Sequence, residues 1–198
     1  MKKNIKWIVC IFSLITFILL AYLVKTNENI IIDKYFYELI MPIINNNLTN
    51  IVKIVTFLGS AFTVILITII CLIVIKNKKI GLFMALDLII ITCFQYLLKY
   101  TFLRNRPVDI NLIEETGYSF PSGHSLTAMA FYGFIIYIVN KYNLKYKKIY
   151  TILLSLLIIM IGFSRIYLGV HYPTDVFGGL TFSLAYLIIF INIVKKYI

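Results

Sequence analysis

Six apolar runs dominate the pattern of this 198-residue chain, at 7–24, 58–75, 80–101, 123–139, 149–166 and 174–194. A bilayer core takes about 20 apolar residues of helix. The pattern therefore predicts an all-α, polytopic membrane protein, a bundle of six transmembrane helices forming one domain over 1–198. No internal repeat or low-complexity linker interrupts it. Between the first two runs, segment 25–57 is only partly apolar. Ile30, Ile31, Ile32, Tyr35, Phe36, Leu39, Ile40 and Ile43 precede the turn-like Asn45-Asn46-Asn47. This predicts an interfacial helix lying on one leaflet. The first run is longer than the apolar core of a signal peptide, and no small-residue cleavage pattern follows Ala21, so an uncleaved anchor is expected.

Charge orients the bundle. Lys2, Lys3 and Lys6 precede the first run, and Lys76, Lys78 and Lys79 follow the second. Lys141, Lys145, Lys147 and Lys148 separate the fourth and fifth, and Lys195 and Lys196 close the chain. No Asp or Glu stands among these twelve lysines. Six spans put all four clusters on one side, which the positive-inside rule assigns to the cytoplasm. Both termini are then cytoplasmic in a multi-pass cell-membrane protein, and 25–57, 102–122 and 167–173 face outward.

Composition agrees: 61% hydrophobic and 14% charged residues, where soluble domains run near one half and one quarter. A net charge of +11 would suggest nucleic acid, but its confinement to inter-helix clusters points to a bilayer instead, and no nucleic-acid partner is expected. Cys10, Cys71 and Cys93 lie in apolar runs without metal or redox spacing and read as inert buried thiols. Asp87, in mid-helix, has no functional account.

The remaining cations and both histidines converge on the opposite, outer face. Ionisable groups at a membrane are costly and are functional candidates by default. Lys99 and Arg106 are seven residues apart and are expected to share one face of the third helix, which Pro107 stops. Pro121-Ser122-Gly123-His124 opens the fourth helix. Ser122 is its expected N-cap, and the free N–H groups there suit a phosphate. Ser164-Arg165 ends the fifth helix. His171-Tyr172-Pro173-Thr174-Asp175 opens the sixth, with Pro173 at its first position and Asp175 able to reach back to His171. Each stretch alone has an ordinary explanation, as a snorkelling cation or a capped helix end. Together they supply three cations, N–H donors, two histidines and an orienting acid, an inventory for phosphoryl transfer without a metal cluster.

Lys99…Arg106-Pro107, Pro121-Ser-Gly-His124 and Ser164-Arg165…His171…Asp175 resemble the three-part signature of the type-2 phosphatidic acid phosphatase family. That family includes the lipid phosphate phosphatases and is related to vanadium haloperoxidases. The match spans 99–175, and each signature position agrees. The resemblance implies that His171 attacks phosphorus and carries a phosphohistidine, that Asp175 orients it and that His124 protonates the leaving oxygen. It also implies that Lys99, Arg106, Arg165, Ser122 and Gly123 bind the phosphate, with Arg104 and Ser164 in supporting places. No cofactor, metal or obligate protein partner is implied. The expected substrate is a lipid phosphate in the bilayer, with undecaprenyl pyrophosphate ahead of phosphatidic acid and phosphatidylglycerophosphate. A lipid phosphotransferase and a six-helix anion transporter are the alternatives. Mid-membrane charges would mark the transporter, and here the charges gather at the faces.

Overall fold

The computed structural model describes residues 3–26, 30–108 and 111–198. Lys2 of the first basic cluster lies outside them. The described residues form eight α-helices and no strand: α1 (Lys3–Thr26), α2 (Ile31–Ile40), α3 (Asn46–Leu58), α4 (Ala61–Val74), α5 (Lys78–Phe102), α6 (Gly123–Lys141), α7 (Lys147–Tyr167) and α8 (Pro173–Val194). A 3₁₀ turn, Met41–Ile43, joins α2 to α3.

Four helices, α1, α5, α7 and α8, are long and apolar enough to cross a membrane, and the α3–α4 pair makes a fifth if taken as one bent span. The expected run 58–75 is divided. α3 ends at Leu58, Ser60 caps α4 by accepting the Thr63 N–H, and the two helices meet at 47°. At about 1.5 Å per residue, the 14 residues of α4 reach only about two thirds of a bilayer core. α6 is not among the apolar spans. It begins with Gly123, His124 and Ser125, and much of its surface meets protein. Leu126, Ala128, Ala130, Phe131 and Phe134 are fully buried against α5, α7 and α8. A central helix need not be lipid-like all round. Segment 25–57 holds two helices and a 3₁₀ turn where one interfacial helix was expected.

The outer faces of α1, α4, α5 and α7 expose Ile, Leu and Phe along their lengths. A surface so apolar belongs in hydrocarbon. α1 is part of the bundle. It lies along α8, with Lys6 donating to Asn192 at 2.8 Å and Phe17 packing on Phe120 and Phe182.

The lysine clusters gather at one end. Lys141 donates to the Lys195 carbonyl, Asn77 to the Tyr142 hydroxyl, and Lys6 and Lys195 to Asn192. The opposite end is built by close approach of α8 to the stretch before α6. A Cβ on Gly178 would lie 2.6 Å from the Phe120 ring, and one on Gly179 would lie 2.8 Å from the Ser122 carbonyl oxygen. Only glycines let these segments meet, and the Ser122 N–H then donates to the Asp175 carbonyl at 3.0 Å.

Candidate active site

α5 delivers Lys99 in its last turn, where the ammonium donates to the Tyr118 carbonyl. The helix does not carry Arg106, contrary to expectation. It ends at Phe102 because Leu103 turns left-handed, φ 54°, as its N–H closes on the Lys99 carbonyl. That conformation costs a non-glycine residue about 1–2 kcal/mol. The chain then doubles back, and the Ser119 N–H bonds the Arg104 carbonyl at 2.8 Å. Arg106 stands in this loop and staples it. Its guanidinium donates to the carbonyls of Thr116, Gly117, Tyr118 and Val170 at 2.8–3.4 Å.

Its Nη1 also lies 3.2 Å from His171 Nε2. A guanidinium has no acceptor, so a bond here makes Nε2 the acceptor and puts the ring proton on Nδ1. Nδ1 has Ser119 Oγ at 3.2 Å and Asp175 Oδ2 at 3.4 Å. The Ser119 hydroxyl donates to Asp175 Oδ2, which also accepts the Tyr172 N–H at 2.8 Å. The expected reach of Asp175 back to His171 is therefore shared with a serine. The tautomer follows from these partners, and it leaves the Nε2 lone pair turned towards the cations. His171 is 2% exposed and Asp175 0%. Burial lowers the His171 pKa to about 4, aided by Arg106 and Arg165 and opposed by Asp175. The imidazole is thus neutral at ordinary pH.

Arg165, 1% exposed at the end of α7, donates to Thr56 Oγ1 of α3 at 2.8 Å and to the Glu115 carboxylate, while its Nε has no partner. Burial pushes the Glu115 pKa up, but Arg165, Arg106 and His171 outweigh it and hold the carboxyl ionised. A carboxylate therefore sits on the guanidinium expected to meet an anion. Arg104 lies over the Tyr172 ring at 4.0 Å and bonds Asp175 Oδ1, Thr174 Oγ1 and Asp33 Oδ2. Burial lowers its pKa, and the two carboxylates more than restore it.

A cavity of about 600 Å³ joins these groups. Lys99, Arg106, Glu115, Gly123, His124 and His171 line one end. From there it runs between α4 and α5 over Ile65, Ile69, Leu72, Leu88 and Ile89. Ser122, Arg165 and Asp175 are not among its lining residues. Ser122 is fully buried, stands at the N-cap position without capping α6, and accepts from the Ser125 hydroxyl at 3.1 Å. The first N–H groups of α6 are thus left without a side-chain cap. Gly123 brings Gln95 against the helix start, where a Cβ would lie 2.6 Å from its Oε1. Ser164 bonds the Ile161 carbonyl within α7 and touches nothing in the cavity. Cys10 is buried as expected, whereas Cys93 is exposed. Asp87 is fully buried, and among the described residues neither carboxylate oxygen has a partner in hydrogen-bond geometry.

Sequence reasoning missed Ser119, Glu115 and Asp33. The acids left a usable signal. Of the chain's eight acidic residues, only Asp87 stands within a lysine-flanked apolar run away from the outer helix ends. Ser119 left none beyond its place two residues before Pro121.

The sequence pattern of the PAP2 superfamily matches residues 79–198. A phosphatidylglycerophosphatase B from Bacillus subtilis is 35% identical over 181 residues, 88% of each chain. An undecaprenyl-diphosphatase from Sulfolobus acidocaldarius is 28% identical, over 90% of this chain and 86% of its own. The crystal structure of a transmembrane PAP2-type phosphatidylglycerolphosphate phosphatase from Bacillus subtilis superposes with a TM-score of 0.87. It is 28% identical, and 94% of this chain and 96% of that one are covered.

Proposed function

Since the chain belongs to the PAP2 superfamily, we propose that it is a membrane lipid phosphatase working through a phosphohistidine on His171. The observation that carries this reading is the cavity, cationic around His171 Nε2 and apolar along α4 and α5. A phosphate can meet the charges while its hydrocarbon stays in lipid, and a soluble ester would gain nothing from the apolar part. Arg106 gives up its bond to Nε2 as it turns to the phosphate, and the released lone pair attacks phosphorus as the bond to the leaving oxygen breaks. That oxygen takes a proton from His124, which lines the same end. The Nδ1 proton stays directed at Ser119 and Asp175, which stabilise the cationic ring. Lys99 and Arg106 meet the charge on the phosphoryl oxygens, with Gly123 and the α6 N–H groups completing the cradle; Arg165 joins them when the phosphate takes the place of Glu115, and Ser122 supports the start of α6 from behind. Water then attacks the phosphohistidine, and phosphate leaves.

The bundle crosses the bilayer six times, α3–α4 as one bent span and α6 as a buried one. The lysine end is cytoplasmic and the site faces outside. A carrier diphosphate presents two phosphates to a cavity end lined by Lys99 and Arg106, which supports undecaprenyl pyrophosphate as the substrate. Phosphatidylglycerophosphate is the second reading, favoured by the name of the 35% identical relative. Purified protein assayed for phosphate release on both lipids and phosphatidic acid, in one detergent, tests this. The prenyl diphosphate is expected to give the highest kcat/KM. A value tenfold below either rival, about 1.4 kcal/mol of transition-state binding, overturns the substrate. No phosphate from any lipid overturns the phosphatase.

A further inference from the structure

We propose that Asp33, on α2 and outside the stretch that matches the PAP2 pattern, is a positioning residue that holds the His171–Asp175 pair through Arg104. This rests on the phosphohistidine reading above and adds an element to it. Asp33 is 3% exposed, which is unusual for an acid in the first turn of a short helix, where solvent normally covers it. Among the described residues its carboxylate bonds only groups at the site, Arg104 71 residues away in sequence and Thr174 141 away. Oδ1 accepts the Thr174 N–H at 2.9 Å. Oδ2 accepts the Thr174 hydroxyl at 2.8 Å and Arg104 Nη2 at 2.7 Å. Arg104 passes the contact on, for its Nη1 bonds Asp175 Oδ1 and Thr174 Oγ1.

The geometry is a planar fork held between two buried carboxylates. With both Nη groups engaged and the plane laid on Tyr172, the guanidinium cannot rotate, so Asp175 Oδ1 is fixed. Oδ2 is then left to face Ser119 and His171. Asp33 also balances charge: without it, a cation would press on Asp175 alone and draw its electron density away from the imidazole. α2 has a second grip on the nucleophile. The Tyr37 hydroxyl donates to the His171 carbonyl at 3.1 Å, and its ring packs edge-on against Tyr172. The opposite side of α2 carries Ile31, 85% exposed, so this helix joins the bundle through its site-facing side.

A brace that only held the fold would move stability, binding and turnover together. A positioning residue moves the chemical step. The full-length protein in detergent is compared as wild type, Asp33→Asn, Arg104→Gln and the double variant, for kcat, KM and inhibition by inorganic phosphate and by vanadate. Asn keeps the shape of Asp33 and removes its charge. Asp33→Asn is expected to lower kcat about 10- to 100-fold, the range reached when a reacting group is misplaced by about 1 Å, with KM within about twofold. Phosphate inhibition stays, because the cations remain. Vanadate, which resembles the transition state and needs an aligned nucleophile, weakens in proportion to kcat. Arg104→Gln with Asp33→Asn is no worse than Arg104→Gln alone. Tyr37→Phe, which leaves the charges intact, lowers kcat less and also spares phosphate inhibition. A wild-type kcat for Asp33→Asn, parallel loss of phosphate and vanadate inhibition, or additive effects of the two substitutions would each overturn the proposal. Wild-type turnover by His171→Ala overturns the underlying reaction. An inactive His171→Ala beside a fully active Asp33→Asn overturns this inference alone.

Discussion

At the lysine end of the bundle the cations stand in the open or nearly so, with partners that are neutral. Lys147 reaches Asn143, Lys141 a carbonyl, and Lys78 two carbonyls at the end of α4. At the other end Arg104, Arg106 and Arg165 are buried or partly so. Arg106 has four carbonyl partners and an imidazole, Arg104 two carboxylates and an aromatic face, and Arg165 a carboxylate and a threonine. Net charge alone cannot separate the two groups. The lysine ammoniums stay hydrated and hold little structure. The guanidiniums have lost their water and depend on fixed, planar partners, so removing one partner strands a charge. One end therefore tolerates change and the other does not.

The largest effect lies at the centre of the buried end. His171→Ala is expected to lower phosphate release by roughly 10⁴-fold or more, as loss of a nucleophile does in enzymes whose catalytic groups act as a unit. The other histidine lining the cavity, His124, lacks the Ser119–Asp175 pair that fixes the His171 tautomer. Steady-state release from a lipid phosphate, beside an unchanged melting temperature, measures this. Turnover within tenfold of wild type would remove the distinction between the ends.

The next effect is smaller and depends on pH. The proposed attack needs a neutral His171, whose pKa is held at about 4 against an ordinary 6.5, chiefly by burial. At pH 5 about nine-tenths of the imidazole is then neutral, against about 3% for an unshifted histidine. The acid limb of kcat/KM is expected near pH 4. Asp175 raises this pKa, so Asp175→Asn should lower the rate and move the limb to still lower pH, whereas a limb set by substrate ionisation stays put. Stability follows the same shift with a definite sign. The unfolded imidazole binds a proton near 6.5 and the folded one only near 4, so this contribution is lost progressively as pH falls below 6.5 and levels off below 4. A limb at 6.5 in wild type would contradict the buried, neutral imidazole.

The contrast also explains what could be read from sequence. Apolar runs and lysine clusters are local signals, and they pointed to the helical bundle, to the end where the lysines gather and to the opposite end that holds His124 and His171. Spacing singled out Lys99 and Arg106, which line the cavity, and Arg165 and Asp175, which do not, because motif distances survive whatever lies between them. The path of the chain between motifs did not. Lys99 and Arg106 were expected on one helix, yet Leu103 breaks it, since a left-handed leucine has no compositional mark. Ser119 is one hydroxyl among many until the fold sets it between His171 and Asp175. Asp33 acts across 141 residues, and no local pattern encodes that. The bend before α4 was written in Gly59-Ser60, but an apolar run drawn across it hid the break. The run 123–139 did mark α6, although its polar first turn faces the cavity and its neighbours cover much of the rest.

The smallest expected effect is at the lysine end. Lys145 and Lys148 are exposed and lie away from the cavity. Replacing both with Gln should leave kcat and KM in detergent within about twofold, since exposed charges contribute about 1 kcal/mol or less. Under the proposed orientation they act during insertion, where lysines on the cytoplasmic side bias the topology. Three clusters remain in such a variant, so most molecules should still insert with the C-terminus inside. A reporter fused after Ile198 and active only in the cytoplasm reads this directly. Extending the substitution to Lys76, Lys78 and Lys79 should raise the inverted fraction without touching the turnover of correctly inserted protein. If these substitutions lowered kcat tenfold in detergent, the lysine end would be coupled to the site, and the division between a tolerant and an intolerant end would fail.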